Sequence, residues 1–213
     1  MEYSKMTVRD FIRELESSSA TPGGGAAAAL CGAMAGSLCT MAASVTLGRE
    51  TYKEAWVEME GIAEEARTRT AILLELMERD AEAYSSFIEA AGMPKTPETA
   101  REARKARMQE ALKAACRTPL ETIRAVKEIA RLMETLLLKG NPNAMADLGT
   151  AGKLLSAAAQ AAAYNIKANL KGIEDLSFNE EILRALGFER PLVEASAIVA
   201  AAAMMRRLGR NAA

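Results

Sequence analysis

Residues 54–91 read EAWVEMEGIAEEARTRTAILLELMERDAEAYSSFIEAA. Within them Trp56, Met59, Ala63, Ala66, Thr70, Leu73, Met77, Asp80, Tyr84 and Phe87 follow one another at alternating spacings of three and four. That spacing keeps a residue on one side of a helix, so the stretch predicts one long helix with a seam against a partner helix. Nearly every seam residue is apolar, small or aromatic. Asp80 is the exception. An acid there either meets a cation or a donor, or opens into a cavity; a structural pairing with an arginine and a chemical role weigh about evenly on the residues alone.

Outward from that helix the pattern stays helical. On the N-terminal side, Ser17 to Gly48 carries no charge. Its apolar residues are mostly Ala, Gly, Met and Cys, too weak for a membrane span, and predict a helix buried in a bundle. Gly32 and Gly36 leave room for another backbone. Thr21-Pro22 reads as the start of this helix, which should run to about Thr46. Gly23, Gly24 and Gly25 leave its first amides uncovered. Before it, Val8, Phe11, Ile12 and Leu15 form a short amphipathic helix capped by Thr7.

On the C-terminal side, Gly92-Met93-Pro94-Lys95 breaks the seam helix and Thr96-Pro97 restarts one. Thr118-Pro119 reads as a further start and Lys139-Gly140 as an end. Asn141-Pro142 opens the next helix, Ser177-Phe178-Asn179-Glu180 resembles a capping box, and Arg190-Pro191 opens the last. No stretch alternates with a period of two, so no strands are expected. The expectation is an all-α, single-domain, up-and-down bundle of long antiparallel helices over residues 1–213. Met34, Met41, Met204 and Met205 read as core filler.

Composition narrows the chemistry. The chain has 213 residues, 50% hydrophobic and 26% charged, with a net charge of -1 and 4% aromatics. The balanced charge argues against nucleic acid or an anionic membrane as a partner. Histidine is absent. That removes Ser-His-Asp and Cys-His catalysis and histidine-ligated metals, leaving Asp, Glu, Lys, Tyr or Cys for proton transfer. Cys31, Cys39 and Cys116 form no close pair, since one helix would place the first two about 12 Å apart. A reduced, cytoplasmic setting fits, and no apolar signal core follows Met1.

The order of the punctuation is similar to a known family. Thr21-Pro22-Gly23-Gly24-Gly25 before a small-residue helix resembles the cyclodeaminase domain of formiminotransferase-cyclodeaminase, a signature shared by stand-alone methenyltetrahydrofolate cyclohydrolases. Leu47-Gly48 with Tyr52, Asp80-x-x-Ala83-Tyr84 and Met93-Pro94-Lys95 follow in the family's order. So do Arg104 with Gln109, Thr118-Pro119-Leu120, Gly140-Asn141, Asp147-x-Gly149 and Asn165-x-x-x-Asn169-Leu170. Ala26 and Ala146 stand where members commonly carry serine. The resemblance implies a helical homodimer that takes a tetrahydrofolate derivative as substrate, with no metal and no cofactor. Cyclodeamination of 5-formimidoyltetrahydrofolate is favoured slightly, on the family name. Hydrolysis of 5,10-methenyltetrahydrofolate is the alternative, and a folate-binding scaffold without turnover the rival of another class.

The residues suit that chemistry. A buried carboxylate stabilises a cationic one-carbon unit, and a raised pKa fits it to move protons. Asp80 and Asp147 are the expected catalytic pair, the second near a helix start whose dipole favours its charge. Lys95, Arg104 and the amides of Gly23, Gly24 and Gly25 are expected to receive the anionic tail. Gln109, Asn141, Asn165 and Asn169 offer paired donors and acceptors for a pterin edge.

Overall fold

A computed structural model describes residues 2–210; Met1 and residues 211–213 of the expected unit lie outside the described residues. Six α-helices follow in order: α1 (Val8–Glu16), α2 (Gly24–Leu47), α3 (Trp56–Gly92), α4 (Glu98–Lys139), α5 (Met145–Leu170) and α6 (Leu176–Arg210). Short 3-10 turns at Tyr3–Lys5, Glu50–Ala55 and Pro142–Ala144 join them, and the described residues contain no strand. The all-α expectation holds.

The small-residue helix α2 is the axis of the bundle, packed on α3, α4 and α5. A β-carbon on Gly32 would collide with Val126 and crowd Leu73, and one on Gly36 would collide with Thr70. Their absence lets α2 run antiparallel to α3 and alongside α4 at close range. The seam of α3 supplies Met59, Ala63, Ala66, Leu73 and Met77 to the core, all buried. Large side chains on α4 and α5, among them Ile123, Ile129, Met133, Leu148, Leu155 and Ile166, fill the space that the small residues of α2 leave. Burying each contributes about 1.5–3 kcal/mol.

Several helix boundaries differ from the sequence reading. Helix α2 starts at Gly24 with Gly23 as its extended N-cap, and buried Pro22 stands before it. Helix α4 runs unbroken past Pro119, and α6 past Pro191. A proline inside a helix frees the carbonyl four residues earlier. In α4 that is Ala115, and Asn169 Nδ2 donates to it at 2.9 Å from the neighbouring helix α5. The donor comes from a distant part of the chain, so a local reading ends the helix too soon. Asp175, one residue before α6, receives the Phe178 amide and the Ser177 hydroxyl in place of a Ser177 capping box. The Thr7 cap is present, its hydroxyl accepting from the Asp10 amide. Met34 and Met41 are 43% and 38% exposed and Met205 62%, so they are not core filler; the outer face of α2 is uncovered within one chain.

Candidate functional site at the N-terminal end of α2

The first turn of α2 is built from glycine, with Gly24 exposed and Gly25 buried, and its N-cap Gly23 has no side chain to cap it. Its amides therefore point outward with their share of the helix dipole. Asp80 of α3 comes to this turn. A β-carbon on Gly25 would fall inside the Asp80 carboxylate, so glycine is what lets the acid lie against the helix end. The Ala26 amide donates to that carboxylate. Burial pushes the Asp80 carboxyl above its ordinary value, and the Ala26 hydrogen bond pulls the other way without prevailing; no charged neighbour contributes. The acid on the seam thus meets a backbone donor, and an arginine partner is not found.

Asn165 of α5 reaches the same turn. Its amide lies about 3.5 Å from where a Gly24 β-carbon would stand. Its Nδ2 donates to the Ala161 carbonyl at 2.9 Å, which leaves Oδ1 available. One turn past Asp80 on α3, Tyr84 is 42% exposed, with Ile88 beyond it at 50%. The seam turns outward here because α3 continues past the end of α2. The glycine turn, an acid of raised pKa, a half-buried amide and an exposed phenol therefore share one open end of the bundle.

The other expected site residues stand elsewhere. Asp147 lies in the first turn of α5. Eighteen residues separate it from Asn165, five helical turns and about 27 Å. Within one chain Asp80 and Asp147 therefore sit toward opposite ends of the bundle. The sequence places both on helix faces but cannot show that α2 and α5 run antiparallel. Asn141 is 4% exposed and belongs to that far end. Its backbone N–H donates to Thr46 Oγ1 at 2.8 Å, its Nδ2 to the Val45 carbonyl at 3.3 Å, and its Oδ1 accepts from the Asn143 amide at 3.0 Å. It caps the C-terminal end of α2 and starts the next turn, which leaves it unsuited to a pterin edge.

Gln109 and Asn169 lie nearer the glycine turn; Gln109 is engaged at both ends of its amide, and Asn169 through its Nδ2. Gln109 donates to the Gly172 carbonyl at 2.8 Å and accepts from the Glu174 amide at 2.9 Å. Asn169 serves the Ala115 carbonyl. Arg104 Nε donates to the Ala91 carbonyl at 3.1 Å and ties α4 to the last turn of α3. Lys95 is exposed in the connection between those helices, well beyond Asp80. The sequence reading missed the Ala26 amide: it stopped at the third glycine, and only the approach of α3 shows which amide the acid takes. The exposed phenol of Tyr84 was visible only as a seam position.

Comparison with known proteins agrees with this architecture. The family model described as formiminotransferase-cyclodeaminase matches residues 7–187. A methenyltetrahydrofolate cyclohydrolase of Methylorubrum extorquens is 37% identical over 192 residues, covering 90% of this chain and 91% of that protein. The formimidoyltransferase-cyclodeaminase of Mus musculus is 31% identical over 175 residues, 82% of this chain and 32% of the mouse protein, so the chain corresponds to about a third of it. The crystal structure of formiminotetrahydrofolate cyclodeaminase from Thermotoga maritima superposes with a TM-score of 0.89 at 28% identity, covering 97% of this chain and all of that one.

Proposed function

The chain belongs to the formiminotransferase-cyclodeaminase family, and from that premise we propose that it is an enzyme acting on the one-carbon bridge of tetrahydrofolate at the open end of α2. The observation that carries the reading is Asp80, an acid of raised pKa held against bare helix amides. Hydrolytic opening of 5,10-methenyltetrahydrofolate is the favoured reaction, because the relative of matching length and 37% identity bears that name. This reverses the slight preference of the sequence reading. Cyclodeamination stays as the second reading, supported by the Thermotoga maritima structure that covers the whole fold.

The chemistry follows from charge. The methenyl carbon is cationic, and an ionised Asp80 beside it lowers the energy of that cation. A water molecule adds to the carbon while Asp80 takes its proton. Asp80 then returns a proton to N5 as the C–N5 bond breaks and the adduct's hydroxyl proton passes to solvent, leaving the formyl group on N10. In the deaminase direction N10 attacks the formimidoyl carbon, Asp80 takes the N10 proton, and ammonia leaves with a proton from the same acid. One carboxyl of raised pKa serves both steps in either reaction. Asn165 Oδ1 and the Gly24 turn receive polar groups of the pterin in this reading, and Tyr84 gives its ring a face to lie on. No metal or cofactor is needed. Lys95 and Arg104 stand farther out, on the side where the anionic tail would leave. Asp147 has no step in a single chain.

A second copy of the chain covers the outer face of α2 in this reading. That face has no charge along its 24 residues, and it exposes Met34, Met41 and Val45. Apolar burial of this kind favours a homodimer. Sedimentation should give a dimer, and Met34→Lys a monomer; a monomeric parent chain would remove the assignment. Three free cysteines agree with a reducing, cytoplasmic setting.

Two assays run in parallel test the reaction. Purified protein is given 5,10-methenyl- or 5-formimidoyltetrahydrofolate, and methenyl absorbance is followed. Accelerated loss from the first identifies a hydrolase, and appearance from the second a deaminase. No change in either, with binding of folate intact, would leave a scaffold.

A further inference from the structure

The end of α5 is fastened to α4 at two points. The first is the Asn169 bond to the carbonyl that Pro119 leaves unserved. Just past it, the connection to α6 is gripped by Gln109, which binds Gly172 and Glu174 with both ends of its amide. The connection packs on an α4 side chain here, for a β-carbon on Gly172 would press into the Leu112 methyl groups. Asn165 lies one turn before Asn169 and shares its face of the helix. Its side chain is tied to its own helix at Ala161, so its distance from Gly24 is set by where α5 stands rather than by its own rotamer.

We propose that Asn169 and Gln109 are positioning residues that buckle the end of α5 to α4 and so hold Asn165 at the glycine turn beside Asp80. The inference rests on the folate reading above for its kinetic consequence, and on contacts alone for the buckle. It assigns neither amide to substrate: Gln109 is engaged at both ends, and the Asn169 Nδ2 serves the Ala115 carbonyl. It also gives Pro119 a purpose. A proline there opens an acceptor on α4 that only a neighbouring helix can fill, so the two helices are joined through a backbone carbonyl at a fixed height.

Pairing Asn169→Ala with Pro119→Ala separates positioning from simple stabilisation. Asn169→Ala leaves the Ala115 carbonyl unpaired, so Tm falls. KM should rise about five- to tenfold, the equivalent of one hydrogen bond, while kcat stays within about twofold. Adding Pro119→Ala returns a backbone N–H that closes on Ala115. Tm should then recover, but α5 still lacks its Asn169 fastening and KM should stay high. A KM that recovers together with Tm, or one that never rises, overturns the proposal. Hydrogen exchange needs no substrate: amides of 163–175 should exchange faster in the double variant than in the parent, and equal protection also overturns it. A parent chain without turnover refutes the reading of function instead, and the exchange result still decides the buckle.

Discussion

The two ends of α2 are made from opposite materials. At its C-terminal end Asn141 uses its backbone N–H and both ends of its side chain on Thr46, Val45 and Asn143. At its N-terminal end the N-cap is a glycine, and the nearest acid meets one amide of the turn and keeps a raised pKa. One end is a closed set of hydrogen bonds and supplies stability. The other engages its carboxyl through one backbone amide alone and keeps the glycine amides open, and groups of that kind are what a substrate can use. Both ends contain asparagine beside α2, yet Asn141 is spent and Asn165 is not.

Substitution should show the contrast as a split between rate and stability. Asp80→Asn keeps the shape and removes the proton carrier; kcat should fall about 10²–10⁴-fold with the fold intact, as steady-state rates and circular dichroism would show. A near-normal rate would move the chemistry away from this end. Gly25→Ala drives a methyl into the carboxylate, so Asp80 must shift; a displacement of about 1 Å costs about 10² in kcat/KM. Full activity in that variant would mean that Asp80 works from another position. At the closed end, Asn141→Ala should cost about 2–3 kcal/mol of stability, or about 4–10 °C in Tm, with kcat/KM per folded molecule unchanged. A kinetic defect there would break the comparison.

The smallest effect concerns pH. The folded-state pKa of Asp80 lies above its ordinary 3.8. Stability is therefore lost as pH rises through the folded value, because the buried acid ionises with less solvation than in the unfolded chain. Asp80→Asn should raise Tm by about 2–4 °C near neutral pH. The gain should vanish below about pH 3.8. A gain independent of pH would point to packing rather than charge.

Much of the fold was legible because helix period is a local property. The alternating seam from Trp56 to Phe87 fixed α3 and singled out Asp80, and the glycine triplet marked a bare helix start. What could not be read was whatever depends on a second helix. Pro119 looks like a boundary until Asn169 is seen serving the carbonyl it frees. Asp147 and Asp80 look like partners until α2 and α5 are found antiparallel. Gln109 and Asn169 look available until the carbonyls they serve are known. Met34 and Met41 share the helical spacing of core residues, and only the absence of a cover on that side puts them at the surface.

Helices α3 and α4, with 37 and 42 residues, outrun the 24 of α2. Past Asp80 the pair stands clear of the bundle's axis by about 18 Å on α3. Most side chains from Tyr84 to Ala103 are exposed, and Arg104 ties the two arms of this hairpin to each other. Regions with few buried contacts open at a lower free energy than the core. The two sides of the candidate site thus differ in packing: the glycine turn lies on the bundle's axis, while the facing hairpin has few buried side chains. In the folate reading, local opening of that hairpin is the route by which substrate enters and leaves.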